Sequence, residues 1–179
     1  MKLFKKLAAA ALAAVLALSM VGCGNANSVN STKQFILNFL ADSTVMSTGE
    51  YHNTSEMDGI AQKLLTEANA AYQDETQTDK TVKALMQAAA EKEGILKEGT
   101  GYEISFVEDY QFKSSLIPEV QKQLMLMQMM DTIEVNGGIA LDATKLDVGV
   151  AVGKIGDKTY AVVVMTSAET AAPGTPDGD

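Results

Sequence analysis

Few residues of this chain belong to the types that carry chemistry. Its 179 residues include one cysteine, Cys23, and one histidine, His52. A zinc site usually draws on several His or Cys side chains, and a serine nucleophile would need His52 or a lysine as its base. His52 stands among polar residues, which predicts a solvated loop at the surface. We therefore expect neither a metal nor a cofactor, and the sequence assigns no catalytic residue.

Three acids are the remaining candidates for acid–base chemistry: Glu103, Glu108 and Asp109. Carboxyl groups held close together can act as an acid and base pair. A hydrolase that uses Glu103 and its neighbours predicts a raised pKa for Glu103 in a cleft. Solvated charges at a strand edge are the commoner explanation of such a pattern, so Glu103 is kept as a speculative ligand-binding residue.

Composition excludes one large class of partner. The net charge is −9, and all the cationic side chains are lysine, because the chain contains no arginine. Arginine supplies the fork of donors preferred for phosphates and bases. An acidic chain without arginine is a poor nucleic-acid binder, so no nucleic-acid partner is expected.

The amino terminus has the residue pattern of an export signal. Three lysines in the first six residues precede an apolar run from Leu7 to Leu18, which is typical of a secretory signal peptide and too short to span a bilayer. Met20-Val21-Gly22-Cys23 resembles the lipobox of bacterial lipoproteins. The resemblance implies that residues 1–22 are removed and that Cys23 carries a fatty-acyl group such as palmitate. It implies an exported protein that faces outward from the bacterial cell membrane.

Polar and small residues follow the cysteine and predict a flexible tether over residues 23–31. An α/β domain is expected over residues 32–166, and a disordered tail over residues 167–179. Apolar residues at helical spacing predict three helices, which begin near Thr32, at a Ser55 cap and after the polar stretch 74–79. Tyr102 to Phe106 alternates as a half-buried strand does. Ser114, Ser115 and Pro118 open a fourth predicted helix that runs to 134.

The sequence at the end of the domain predicts a β-hairpin. From Leu146, apolar residues alternate with small ones, and Gly149 and Gly153 on the second face leave room for a helix or a ligand to pack very close. Gly156-Asp157 predicts a tight turn. Tyr160 to Met165 is apolar on both faces, which predicts a central, covered strand. The order of the predicted helices and strands indicates an α+β fold. We expect an α-β-α sandwich-like single domain with helices first and a small, mostly antiparallel sheet that ends in a C-terminal hairpin.

The hairpin sequence LDVGVAVGKIGDKTYAVVV is similar to the closing motif of the CAP family (cysteine-rich secretory proteins, antigen 5 and pathogenesis-related proteins). GTGYEISF stands where that family has its Gly-Glu-Asn strand, and SSLIPEVQKQLMLM where it has a helix. The resemblance implies an α-β-α sandwich. The family's cleft holds a divalent metal with two histidines and two acids; only Glu103 stands where one of those acids might, so the resemblance implies a scaffold with a binding role and no metal.

Three functions remain open. The first is a membrane-anchored, non-enzymatic module that binds a protein partner or a small apolar ligand. The second is an envelope assembly protein that associates through the methionine-rich stretch 124–130, which is apolar nearly all round and so predicts a buried or partner-covered helix. The third is the hydrolase. Methionine fits adaptable binding surfaces, so the candidate ligand-binding residues beside Glu103 are Met125, Met127, Met129 and Met130.

Overall fold

The chain folds as a single α+β domain, as the sequence predicts. A computed structural model describes residues 26–41, 50–108, 130–139 and 143–167. Its elements are, in chain order, α1 (Ala26–Ala41), β1 (Glu50–Asn53), α2 (Ser55–Gln73), α3 (Val82–Ala90), β2 (Tyr102–Glu108), β3 (Asp131–Val135), β4 (Lys145–Ile155) and β5 (Lys158–Ser167). None of the helices in this described part of the chain is both long and apolar enough to cross a bilayer.

The five strands form one mixed sheet in the order β1-β4-β5-β2-β3. Only the β1–β4 pair is parallel, and the other three neighbouring pairs are antiparallel. The predicted hairpin of β4 and β5 is confirmed, with Ile155 paired to Lys158 across the Gly156-Asp157 turn. Strand β5 lies between two neighbours and its centre is buried on both faces, which confirms its prediction as a covered strand.

Helices lie on both faces of the sheet, so the domain has three layers. The helices α2 and α3 pack on one face against alternate residues of the strands, among them Ile104, Val162 and Val164. On the other face, α1 packs through Ile36, Phe39 and Leu40 against β4 and β5. Each strand therefore contributes successive side chains to opposite layers, as the two-residue period requires.

Helix α2 covers the face of β4 that carries Gly149 and Gly153. A Cβ atom placed on Gly149 would lie 2.0 Å from the carbonyl carbon and oxygen of Met57, in the first turn of α2. At Gly153 the nearest atom to such a Cβ would be Leu65 Cδ1, at 3.3 Å. Glycine at 149 thus lets the backbone of α2 lie directly on the sheet.

Asp58 joins the two helical layers around the end of β1. Its Oδ1 accepts hydrogen bonds from the backbone N–H of Val150 and from Asn53 Nδ2, both at 2.9 Å. Its other oxygen forms an ion pair with Lys33 of α1. Burial alone would raise the pKa of Asp58, but the hydrogen bonds from Lys33, Val150 and Asn53 and the charge of Lys33 together hold that pKa below its usual value.

The structure differs from the sequence predictions in four places. Helix α1 begins at Ala26, so residues 26–31, predicted as tether, are helical. The cap of α2 is Thr54 and not Ser55, because the Thr54 hydroxyl accepts from Met57 N. His52 lies in β1 instead of a loop. Residues 131–134, predicted as the end of a helix, belong to β3, where β-branched Thr132, Ile133 and Val135 favour a strand.

Candidate functional site

The predicted acid Glu103 lies in β2, directly opposite Glu134 of β3. Tyr102 and Ile104 face the α2–α3 layer, so Glu103 points to the other face of the sheet. Burial raises the pKa of Glu103, and the negative charge of Glu134 raises it further. Burial and the charge of Glu134 thus both disfavour the ionised form of Glu103, as expected for like charges directly across a strand pair.

A second polar pair lies beside Glu103 and Glu134, and the two pairs together form a polar strip across β2 and β3. Ser105 and Thr132 occupy the next positions on the same face of β2 and β3, and their hydroxyl oxygens are 2.9 Å apart. Ser105 is buried. The strip thus combines two carboxyl groups with two hydrogen-bonded hydroxyls, and no cluster of three or more metal-ligating side chains occurs in the described ranges.

The other sequence candidates do not join Glu103. His52 is exposed on the edge strand β1, with Nε2 3.9 Å from Glu50 Oε2. Glu108 Oε2 accepts a hydrogen bond from Lys158 Nζ at 3.0 Å. Met130 is half-buried against the α1-side apolar cluster. Cys23, Asp109, Met125, Met127 and Met129 lie outside the described residues.

A cleft of about 640 Å³ opens beside β3. We call it the β3 cleft. One wall is the carboxyl end of α3 with the segment that follows it, and the other wall is the strand itself. The cleft is lined by Gln87, Ala90, Glu91, Lys92, Glu93, Gly94, Leu96, Lys97, Glu98, Ile133, Glu134, Val135 and Asn136.

Hydrogen bonds and one close backbone approach hold the segment after α3 in place beside β3. The backbone N–H of Lys97 donates to the Tyr102 hydroxyl at 3.3 Å. Asn136 Nδ2 donates to the Thr100 carbonyl at 2.9 Å, so the end of β3 is tied to the same segment. A Cβ atom on Gly101 would lie 1.9 Å from the Gly138 carbonyl oxygen, so only glycine allows this approach. The two walls therefore belong to one packed unit.

The β3 cleft combines an apolar floor with an acidic rim. Leu96 and Val135 are half-buried, and Ile133 is buried. The rim carries four glutamates and two lysines, and Lys92 is paired with Glu67, which lies outside the cleft. A ligand with apolar parts and positive charge fits this surface better than an anion does.

A second, smaller cleft of about 470 Å³ lies between the start of α2 and the same segment. It shares Gly94, Leu96 and Lys97 with the β3 cleft. Segment 94–97 is thus a partition between the two clefts, and Glu103 lines neither of them.

The sequence alone did not indicate the β3 cleft. Its walls come from residues 87–98 and 133–136, which the helix prediction through residue 134 kept apart. The signal that identifies one wall is the run Thr132-Ile133-Glu134-Val135 before the turn at Asn136, Gly137 and Gly138. Alternating β-branched residues before a glycine turn are typical of a strand.

Comparison with known proteins assigns no role to this site. No family model, curated protein or solved structure matches the chain. The function is therefore inferred from the chain's own residues and geometry.

Proposed function

We propose that this chain is an exported, lipid-anchored binding module, with no catalytic activity of its own, that holds a partner in the β3 cleft. The observation that carries the proposal is the cleft itself, about 640 Å³ between α3 and β3. Ligand sites are typically concave, largely apolar and edged by a few polar groups. The β3 cleft is concave, and its lining joins Ile133 and Leu96 to a larger share of polar groups, so it suits a partner that brings both apolar and charged groups.

The anchor rests on Cys23 and the lipobox-like residues before it. One acyl chain holds a protein to a bilayer only marginally, while two chains anchor it stably. The chain is acidic overall, so anionic lipid would repel it and the acyl group supplies the attachment. The CAP resemblance of the hairpin sequence implies a scaffold with a binding role, in line with this proposal.

We keep Met125, Met127, Met129 and Met130 of the methionine-rich stretch as candidate ligand-binding residues. Met130, at its end, packs beside the α1-side apolar cluster.

Native mass spectrometry of the chain extracted gently from its own host tests the binding function. A bound mass that is lost in the Glu93→Lys/Glu98→Lys variant supports binding in the β3 cleft. The matched control is Glu75→Lys, an exposed position outside the cleft lining. Dimers or larger species without a bound mass would favour the assembly function, and a clean monomer would contradict both.

The raised pKa of Glu103 favours a second candidate, the hydrolase. A carboxyl group whose pKa is raised by burial and by a neighbouring acid is a candidate general acid. Glu103 lines neither cleft, and Glu108 is engaged with Lys158, so this function ranks below binding. A hydrolytic activity that disappears in Glu103→Gln, while the fold is kept, would bring it forward.

A further inference from the structure

We propose that the occupant of the β3 cleft is an extended, basic peptide segment of a partner protein, which adds to the sheet as a further strand beside β3. This inference rests on the proposed binding function and names the partner chemistry for the same cleft.

The first argument is the outer edge of β3. It is the last strand in the sheet order, and no strand in the described part of the chain pairs with its outer side. Alternate residues of such an edge direct their N–H and C=O groups outward, ready to pair with another chain. Asp131–Val135 comprises 5 residues, which spans about 17 Å at the usual rise of a strand.

The second argument is where the cleft lies. Three consecutive strand residues, 133–135, line it together with Asn136 of the following turn. Successive side chains of a strand point to opposite faces, so a cleft that touches all three strand residues runs along the strand edge and not over one face. The carboxyl end of α3 forms the opposite wall. A groove between an edge strand and a helix is the arrangement in which peptides bind by strand addition.

The third argument is chemical complementarity. A peptide strand seated here directs every second side chain toward Ala90, Leu96 and Ile133 and leaves the others near the rim. Four glutamates stand in the lining, and one of its two lysines is paired with Glu67 outside it. Opposite charge steers encounter and fixes register. The fitting peptide therefore alternates apolar residues with lysine or arginine.

The test begins with a display library of random decapeptides selected against the full chain purified in detergent. We expect enriched sequences to alternate apolar and basic residues. The best peptide is then synthesised twice, once unmodified and once N-methylated at alternate residues, which removes the strand-pairing N–H groups and leaves the charge unchanged. The unmodified peptide should slow amide hydrogen exchange in residues 131–135 and should bind at least about five-fold more weakly to Glu93→Lys/Glu98→Lys, but not to Glu75→Lys.

Each result decides between named alternatives. If the N-methylated peptide binds as tightly as its parent, strand addition is wrong and the β3 cleft holds side chains only. If no peptide is enriched, or if binding ignores the Glu93 and Glu98 reversals, the peptide partner is refuted. The host-derived mass spectrum then decides separately whether the cleft binds another class of ligand, so the proposed function can survive this refutation.

Discussion

Replacing Gly149 with alanine should destabilise the fold more than any ordinary surface change. The new Cβ would lie 2.0 Å from the Met57 carbonyl and 2.5 Å from the Asp58 backbone nitrogen. Ordinary contact begins near 3.4 Å, so α2 would have to move from β4 by about 1.4 Å. The obstacle is backbone, held by the Thr54 cap and by the hydrogen bond from Val150 to Asp58.

Overpacking usually costs about 1–3 kcal/mol, and a rigid obstacle predicts the upper end, about 3 kcal/mol. For a chain of this size that loss lowers the unfolding midpoint by roughly 6–12 °C. Far-ultraviolet circular dichroism during urea and thermal unfolding of residues 24–179 measures both quantities.

Two other glycines provide matched controls. Gly59 lies inside α2, and no heavy atom lies within 4 Å of the position that an alanine methyl group would take there, so Gly59→Ala should stabilise by about 0.5–1 kcal/mol through helix propensity. Gly153→Ala meets only the movable Leu65 side chain at 3.3 Å and should stay within about 1 kcal/mol of wild type. If Gly149→Ala is as stable as these two, the close approach of α2 to β4 is wrong.

Three further predictions concern charge and attachment. Asp58→Asn should destabilise the fold by about 1–3 kcal/mol at neutral pH, because the charged acceptor of the Val150 N–H is lost. The pKa of Asp58 is lowered in the folded state, so the stability difference between variant and wild type should vanish as pH falls from about 3.9 through that folded pKa. An equal difference at all pH values would contradict this. Glu103→Gln should stabilise by up to about 1 kcal/mol at neutral pH. Because the pKa of Glu103 is raised in the folded state, this gain in stability should shrink as pH falls toward about 4.3. If urea unfolding shows that Glu103→Gln is less stable than wild type, the proposed repulsion between Glu103 and Glu134 is wrong. Cys23→Ser should move the protein from the membrane fraction to the soluble fraction of its host, and unchanged fractionation would contradict the acyl anchor.

The closing hairpin was predictable because its information is local. Alternation in β4, the Gly156-Asp157 turn and the apolar run of β5 all lie within adjacent residues. The glycines at 149 and 153 predicted close packing by a helix or a ligand, and the structure places α2 there. Two-residue periodicity and turn residues can be recognised in the sequence without knowledge of distant contacts.

The edge strands were not predictable in the same way. Strand β1 is Glu-Tyr-His-Asn, with one apolar residue, and it becomes a strand by pairing with Lys145 to Val148 far along the chain. For β3, the preceding methionine- and leucine-rich run has high helix propensity, which extended the predicted helix across residues 131–134. Because the β3 cleft needs both β3 and a segment about forty residues earlier, it could only be found from the folded chain.

The central claim, that the β3 cleft holds the natural partner, is tested most directly by photo-crosslinking in the host cell. A photoreactive amino acid is placed at Glu93, in the cleft lining, and in a second strain at Glu75, outside it. Binding in the cleft predicts one discrete crosslinked species from position 93 and none from position 75. No adduct at position 93, or the same adducts from both positions, would contradict the claim.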